Sequence, residues 1–191
     1  MWKRRPSAAD QARAQRFEQL MLPHLDAAYN LARWLTWDPD QAQDVVQEAY
    51  RRAYQFFGRF QGDNARPWLL KIVRNTYYTE LKQAHAGYVH VSFEEDLPDL
   101  DETELALGEE PAAGDPERTL LQQEARQWIT QSLEQLPVEF REIVILRELE
   151  ELSYKMIARI VDIPVGTVMS RLARGRKLLA ETLQSRREVA P

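Results

Sequence analysis

The 191-residue sequence contains no cysteine, only three histidines and only seven glycines. Without cysteine there is no disulfide framework, thiolate nucleophile or thiolate zinc site. The histidines, His24, His85 and His90, do not have metal-ligand spacing, and no phosphate-binding glycine loop or HExxH motif occurs. We therefore expect no metal, no cofactor and no enzymatic activity.

Long apolar runs are also missing. No stretch approaches the roughly 18 to 20 uncharged residues that are needed to span a bilayer. The first residues are basic, as in a signal peptide, but Pro6, Asp10 and Arg13 stand where an apolar segment should follow. The sequence therefore predicts a cytoplasmic protein without stable membrane insertion.

The net charge of −5 conceals an uneven distribution along the chain. Between Gln83 and Glu117 there are eleven acidic residues and no lysine or arginine. Because the whole chain has 30 acidic residues, the remainder holds 19, against all 25 of the basic ones. Two mildly basic segments therefore flank one acidic segment, and this asymmetry is more informative than the total charge.

Apolar residues recur at helical spacing on both sides of the acidic segment. A first pattern runs from Phe17 to Leu31, and a second follows Asp38, which is a predicted N-cap because Pro39 comes next. The acidic segment has three prolines and little periodicity, which is typical of a flexible linker. No long alternating strand pattern appears. We predict an all-α protein with two small helical domains and a linker, at residues 11–85, 120–186 and 86–119 respectively.

The strongest local pattern begins at Ser153, a predicted N-cap. It is followed by inward-facing Ile157, Ala158 and Val161, a break at Asp162-Ile163-Pro164, and a second helix. In that second helix the predicted inward residues are Val168, Leu172, Leu178 and Leu179. This order is typical of a helix-turn-helix.

The outward face of the second helix combines hydroxyl groups with cations. Such groups suit contacts to base edges and phosphates in a major groove. The alternative is a solvated basic face, since lysine and arginine also interact favourably with helix C-termini. The predicted DNA-binding residues are Thr167, Ser170, Arg171, Arg174, Arg176 and Lys177.

The C-terminal block resembles the DNA-binding domain, region 4, of bacterial extracytoplasmic-function (ECF) sigma factors of the sigma-70 family. The resemblance rests on Leu-Pro-x-x-x-Arg from Leu136 and on Leu-Ser-Tyr-Lys-x-Ile-Ala from Leu152. It also rests on Pro-Val-Gly-Thr-Val-Met-Ser-Arg-Leu-x-Arg-Gly-Arg from Pro164.

The N-terminal half independently resembles region 2 of the same family, its core-binding and promoter-melting domain. The matching segments are Asp-Val-Val-Gln-Glu-Ala-Tyr from Asp44, Phe-Gly-Arg-Phe from Phe57 and Trp-Leu-x-x-Ile-x-Arg-Asn from Trp68. The resemblance implies an RNA polymerase sigma factor that binds core polymerase, recognises the minus-35 and minus-10 promoter elements and promotes promoter melting.

In the family, the second helix of region 2 docks on a basic coiled coil of the polymerase. The residues here that correspond to the docking face share one side of a helix at i, i+4, i+7 and i+8. The alternative for Asp38 and Asp40 is that they only complement the helix N-terminus. The predicted polymerase-binding residues are Asp40, Asp44, Gln47 and Glu48.

The loop after Phe57 resembles the family element that captures an unstacked base of the melted promoter. Phe56, Phe57 and Trp68 are interpreted as core residues. The predicted base readers are Phe60, Asp63 and Asn64, and the predicted phosphate contacts are Arg66, Lys71 and Arg74.

The resemblance also implies the partners. Core RNA polymerase and promoter DNA are expected, together with an anti-sigma factor that holds the chain inactive. In the family the linker threads through the polymerase toward its active-site cleft and RNA exit channel. The alternative function is a two-domain helix-turn-helix transcriptional regulator that acts without core polymerase.

Overall fold

The computed structural model describes residues 7–62, 64–86 and 128–189. These residues are almost entirely helical and include no strand, so the all-α prediction is confirmed. The chain divides into two compact units, Met1–Thr103 and Glu104–Pro191. The predicted linker, 86–119, lies outside the described residues except for Ala86. No helix in the described ranges combines the length and apolar character needed to cross a membrane.

The described part of the N-terminal unit consists of four α-helices and two short 3₁₀ turns. They are α1 (Ala8–Met21), a turn at Leu22–His24, α2 (Leu25–Thr36), α3 (Pro39–Phe56), a turn at Phe57–Arg59, and α4 (Ala65–Ala86).

Local sequence signals explain the ends of these helices. The Asp38 carboxylate accepts hydrogen bonds from the amides of Asp40 (2.8 Å) and Gln41 (3.0 Å), so the predicted N-cap of α3 is confirmed. The apolar pattern from Phe17 to Leu31 does not form one helix, because Pro23 has no amide hydrogen to continue it. A 3₁₀ turn separates α1 from α2 there.

Helices α2, α3 and α4 pack on one another and bury their apolar faces, including Leu31, Leu35, Val45, Leu69, Ile72 and Val73. The ring of Phe17 joins α1 to this core by edge-to-face contacts with Tyr54 and Phe57, both at 5.2 Å between ring centroids. Arg13 strengthens the contact, because its guanidinium donates to the carbonyl of Tyr54 at 2.7 Å. The N-terminal unit therefore presents α3 with one face buried and the other open.

The described part of the C-terminal unit begins with α5 (128–134). The later elements are α6 (Val138–Val144), which continues into a π-helical turn at Ile145–Leu149, then α7 (Tyr154–Val161) and α8 (Val165–Val189).

The buried Arg141 closes the C-terminal end of α5. Its guanidinium donates hydrogen bonds to the carbonyls of Leu133 (3.0 Å), Glu134 (3.0 Å) and Leu136 (2.8 Å). The last carbonyls of a helix have no intrahelical partner, so Arg141 satisfies groups that would otherwise lack one. The arginine of the Leu-Pro-x-x-x-Arg motif thus joins α5 to α6.

Helices α7 and α8 form the predicted helix-turn-helix. Ser153 caps α7 by accepting from the Met156 amide at 3.3 Å, and Asp162 ends it in the left-handed conformation with φ of 60°. Val168 and Leu172 of α8 are buried, as predicted. Ala158, Leu178 and Leu179 were also predicted to face inward. This prediction is only partly met, because these three residues are half-buried at the edge of the core.

Replacing Arg141 with alanine is expected to destabilise the C-terminal unit by about 1–3 kcal/mol, because the carbonyls at the end of α5 lose their donor. Hydrogen exchange followed by mass spectrometry of the full chain should show faster exchange in residues 128–136. Peptides from α2 and α3 should be unchanged.

Arg174→Ala is the matched control, since it removes an exposed guanidinium from the same unit. Unchanged exchange in residues 128–136 of the Arg141→Ala variant would contradict the capping role.

Candidate polymerase and nucleic-acid interfaces

Helix α3 has one exposed polar face and one buried apolar face. Asp40, Asp44 and Gln47 are exposed, whereas Val45 and Ala49 are buried against the core. The amphipathic arrangement predicted for α3 is therefore present. Two carboxylates on this face are open to a basic partner.

Glu48 departs from the expected open docking charge. Its carboxylate accepts from Arg51 at 2.6 and 2.7 Å and from Arg52 at 2.7 Å. The side chain of Glu48 is only 26% exposed. The hydrogen bonds from Arg51 are the main reason that the pKa of Glu48 falls to about 2, and Arg52 lowers it further, although partial burial acts in the opposite direction. The negative charge of Glu48 is thus already balanced by arginines of the same helix.

Glu80 on α4 belongs to the same charged cluster, which sequence analysis missed. Burial raises the pKa of Glu80, Arg52 lowers it, and the negative charges of Glu48 and Asp44 raise it. Glu48, Arg51 and Arg52 lie on α3 and Glu80 lies on α4, so no periodic pattern in the sequence links them. Only the packing of α3 on α4 brings them together.

The loop after α3 turns Phe60 into the core. This residue is buried, with 7% of its surface exposed. Its ring stacks on Phe57 at 6.0 Å between centroids and packs against Trp68 at 5.1 Å. A ring packed in this way is not open to a base in this conformation, and the role of Phe60 as a base reader stays a prediction. The core positions predicted for Phe57 and Trp68 are confirmed, whereas Phe56 is only half-buried.

The other predicted minus-10 residues occupy mixed environments. Asn64 is half-buried, and Asp63 lies outside the described residues. Arg66 and Lys71 are half-buried on α4. The Arg74 guanidinium lies 4.6 Å from the ring centroid of Tyr78, a cation–π contact that orients it. Their roles in DNA binding stay predictions.

The outward face of α8 holds most of the predicted DNA-binding groups at the surface. Ser170, Arg174 and Lys177 are exposed, whereas Thr167 and Arg171 are half-buried. The Ser170 hydroxyl donates to the Thr167 carbonyl at 3.1 Å, and its oxygen can still accept another hydrogen bond. The helix therefore offers both polar and cationic contacts.

Arg176 is exposed but is already paired within the unit, and its role in DNA binding stays a prediction. Its Nε donates to the Glu148 carboxylate at 2.9 Å, which ties α8 to the π-helical turn. No local sequence pattern indicates this pair, since 28 residues separate its members. An ion pair of this kind lowers the charge that Arg176 offers to DNA.

Two exposed residues of α8, Met169 and Ala173, were not among the predicted DNA-binding positions. A helical projection based on the buried Val168 and Leu172 places both on the solvent side. The same projection, made from the sequence, would have predicted that Met169 and Ala173 are exposed on this helix.

No group of three or more histidine and acidic side chains lies close enough to hold a metal ion within the described residues. The site chemistry described above consists of carboxylates, hydroxyl groups, cations and aromatic rings.

Two family profiles match the chain, one in each unit. "Sigma-70 region 2" matches residues 20–86, and "Sigma-70, region 4" matches residues 126–179.

Curated relatives extend this similarity over most of the chain. The RNA polymerase sigma-H factor of Pseudomonas aeruginosa is 36% identical over 177 residues, which cover 88% of this chain and 86% of that protein. The ECF RNA polymerase sigma-E factor of Escherichia coli K12 is 38% identical over 142 residues, covering 74% of this chain and 73% of the relative.

Solved structures agree with the assignment. A Bartonella quintana sigma factor, solved in complex with an anti-sigma factor, has 26% identity and a TM-score of 0.64; the match covers 89% of this chain and 98% of that one. The chain therefore belongs to the sigma-70 family, among its ECF RNA polymerase sigma factors. Membership over both units does not favour the alternative of a regulator that acts without core polymerase.

The lowered pKa of Glu48 predicts a pH-dependent stability of the N-terminal unit. A carboxylate with a folded-state pKa of about 2 and an ordinary value of 4.5 stabilises the fold above pH 4.5 and loses this contribution as the pH falls toward 2. Urea unfolding of the full chain, followed by circular dichroism between pH 5 and 3, should show this decline. The Glu48→Gln variant should show a shallower decline.

Gln47→Ala, at an exposed neighbour without charge, is the control and should keep the wild-type slope. Added salt should weaken the effect, because Arg51 is exposed and its pairing is screened. Equal slopes for wild type and Glu48→Gln would contradict the assigned pairing.

Proposed function

We propose that the two units divide the work of a sigma factor between them. The N-terminal unit, with predicted domain bounds of 11–85, binds core polymerase and the minus-10 element. The C-terminal unit, with predicted bounds of 120–186, binds the minus-35 element. The observation that carries this proposal is the order of the two region matches, 20–86 and 126–179.

Core polymerase docks on the exposed face of α3. Asp40 and Asp44 supply negative charge there, and Gln47 supplies an uncharged polar group. The buried side of α3 is fixed by Val45 and Ala49, so the face is preorganised and binding does not have to order it. Glu48 contributes to this docking face as an ion pair with Arg51 and Arg52 rather than as an unpaired negative charge.

Melted minus-10 DNA binds along the loop before α4 and the first turns of α4. Asn64, with Asp63 as a predicted partner, supplies polar groups for a base edge. Arg66, Lys71 and Arg74 supply cations for phosphates, and all three are half-buried on α4. Phe60 supports the loop from within, since its ring packs on both Phe57 and Trp68.

The minus-35 duplex receives α8 in its major groove. Ser170 and Thr167 lie near the start of the helix, where recognition helices contact base edges. Arg171, Arg174 and Lys177 follow, and their charges suit the flanking phosphates. Arg176 contributes less charge to this surface, because its guanidinium is paired with Glu148.

The chain works in the cytoplasm and forms no covalent bond itself, since the polymerase carries out synthesis. We also propose regulation by an anti-sigma factor. This proposal is supported by the Bartonella quintana structure, in which a sigma factor of similar fold was solved with such a partner. A protein that covers the α3 face and the α8 face together blocks both polymerase and promoter.

The experiment that tests the function is transcription in vitro on a promoter library, with and without core RNA polymerase. The chain plus core should select templates that share two spaced elements, and the chain alone should bind no duplex specifically. Specific duplex binding by the chain alone, without a requirement for core, would favour an independent regulator.

Reversing the charge of Asp44 with Asp44→Lys should weaken binding to core polymerase by about tenfold or more, because an exposed carboxylate that faces a basic surface becomes repulsive. Fluorescence anisotropy of the labelled chain titrated with core measures this. Glu18→Lys, at an exposed position on α1, gives the same change in net charge and should bind normally. A folded Asp44→Lys variant with wild-type affinity would refute the docking assignment.

Substitutions on α8 should separate sequence reading from general DNA affinity. Ser170→Ala should change the preferred minus-35 sequence, with a difference of about 1–3 kcal/mol at the base it contacts. Lys177→Ala should instead weaken all promoters alike and reduce the salt dependence. Holoenzyme binding to a library at several salt concentrations measures both, and a uniform loss from both variants would mean that Ser170 reads no base.

A further inference from the structure

The solvent side of α8 carries an uncharged apolar strip at its N-terminal end. Its members are Gly166, Met169 and Ala173, spaced i, i+3 and i+7, so they follow one line along the helix. Met169 is the largest of them and is 53% exposed. The strip lies on the helix that the proposed function places in the major groove.

The hydrophobic core does not account for Met169. The residues that pack α8 against the rest of the unit are Val168 and Leu172, which are 0% and 2% exposed. A long apolar side chain that stays exposed forgoes the stabilisation that its burial would supply. The position of Met169 is therefore suited to a contact outside the unit.

The surroundings of the strip favour DNA as its occupant. Ser170 and Lys177 border it on one side, and Arg174 lies beyond them. On the other side, Glu148 holds the guanidinium of Arg176 toward the π-helical turn. Cations at the margins attract phosphates, while the centre of the surface stays free of charge.

The strip is also shaped for close approach. A Cβ atom at Gly166 would meet nothing within 4 Å, so the start of α8 has open space beside it. The thioether side chain of Met169 is flexible and adapts to the groove. A polar base edge against this chain would lose its water without gaining a hydrogen bond.

We propose that Met169, with Ala173 one turn further on, contacts the 5-methyl group of a thymine in the upstream promoter element. Thymine is the base that presents an apolar group in the major groove of unmodified DNA. This assignment rests on the proposed function, because it requires α8 to enter that groove. Met169 is thus a specificity-determining residue that reads a methyl group.

The test removes only the methyl group from the DNA. The promoter that wild-type holoenzyme prefers is selected from the library, and each thymine of its upstream element is replaced, one at a time, by deoxyuridine. Binding of holoenzyme to each duplex is then measured. We expect about a fourfold loss of affinity at one position, the effect of one buried methyl group, and little change at the others.

The Met169→Ala variant should bind the thymine and deoxyuridine duplexes equally well at that position. Lys177→Ala is the matched control: it should bind more weakly overall but keep the preference for thymine. Circular dichroism establishes that both variants fold, which is expected because both side chains are exposed.

Three results overturn the inference: an upstream element without thymine, no loss on any deoxyuridine duplex, or a thymine preference that survives in Met169→Ala. In each case holoenzyme still binds and transcribes the promoter, so the proposed function stands. Failure of holoenzyme to bind any promoter would instead overturn both.

Discussion

The burial of Val168 and Leu172 fixes the rotation of α8 about its own axis. Once these two side chains enter the core, the geometry of the helix decides which groups face outward, and a change of one residue in register would turn cations inward. Gly175 supports this placement, since a Cβ there would lie 2.8 Å from Cγ2 of Val144. The chemistry that α8 presents to solvent, which the proposed function assigns to DNA binding, therefore depends on an apolar contact inside the unit.

The same relation between packing and charge governs the N-terminal unit. Helix α3 packs on α4 through its apolar face, and that packing brings Glu80 near Glu48 and Arg52. The cluster is internally balanced, whereas Asp40 and Asp44 lie further out with their carboxylates exposed. Helix α3 thus carries paired charges that shape the surface and open charges that can meet a partner.

Local signals allowed much of the fold to be predicted. The caps at Asp38 and Ser153 and the apolar period of α3 are short-range properties, and each is present in the structure. The exceptions involve contacts between different elements of the fold. Phe60 packs against Trp68, and Arg176 pairs with Glu148; no periodicity encodes either contact. Exposed groups were easier to place than groups whose partners come from another helix.

The enclosure of Phe60 has a thermodynamic consequence for any contact between its ring and an unpaired base. Its ring becomes available for stacking only if the loop leaves Phe57 and Trp68 and gives up the packing between them. Any stacking that uses this ring is weakened, in the free chain, by the small fraction of molecules in which the loop is open. A surface that stabilises the open loop raises that fraction. Affinity for unpaired bases through Phe60 would then be a property of the assembled complex rather than of the isolated subunit.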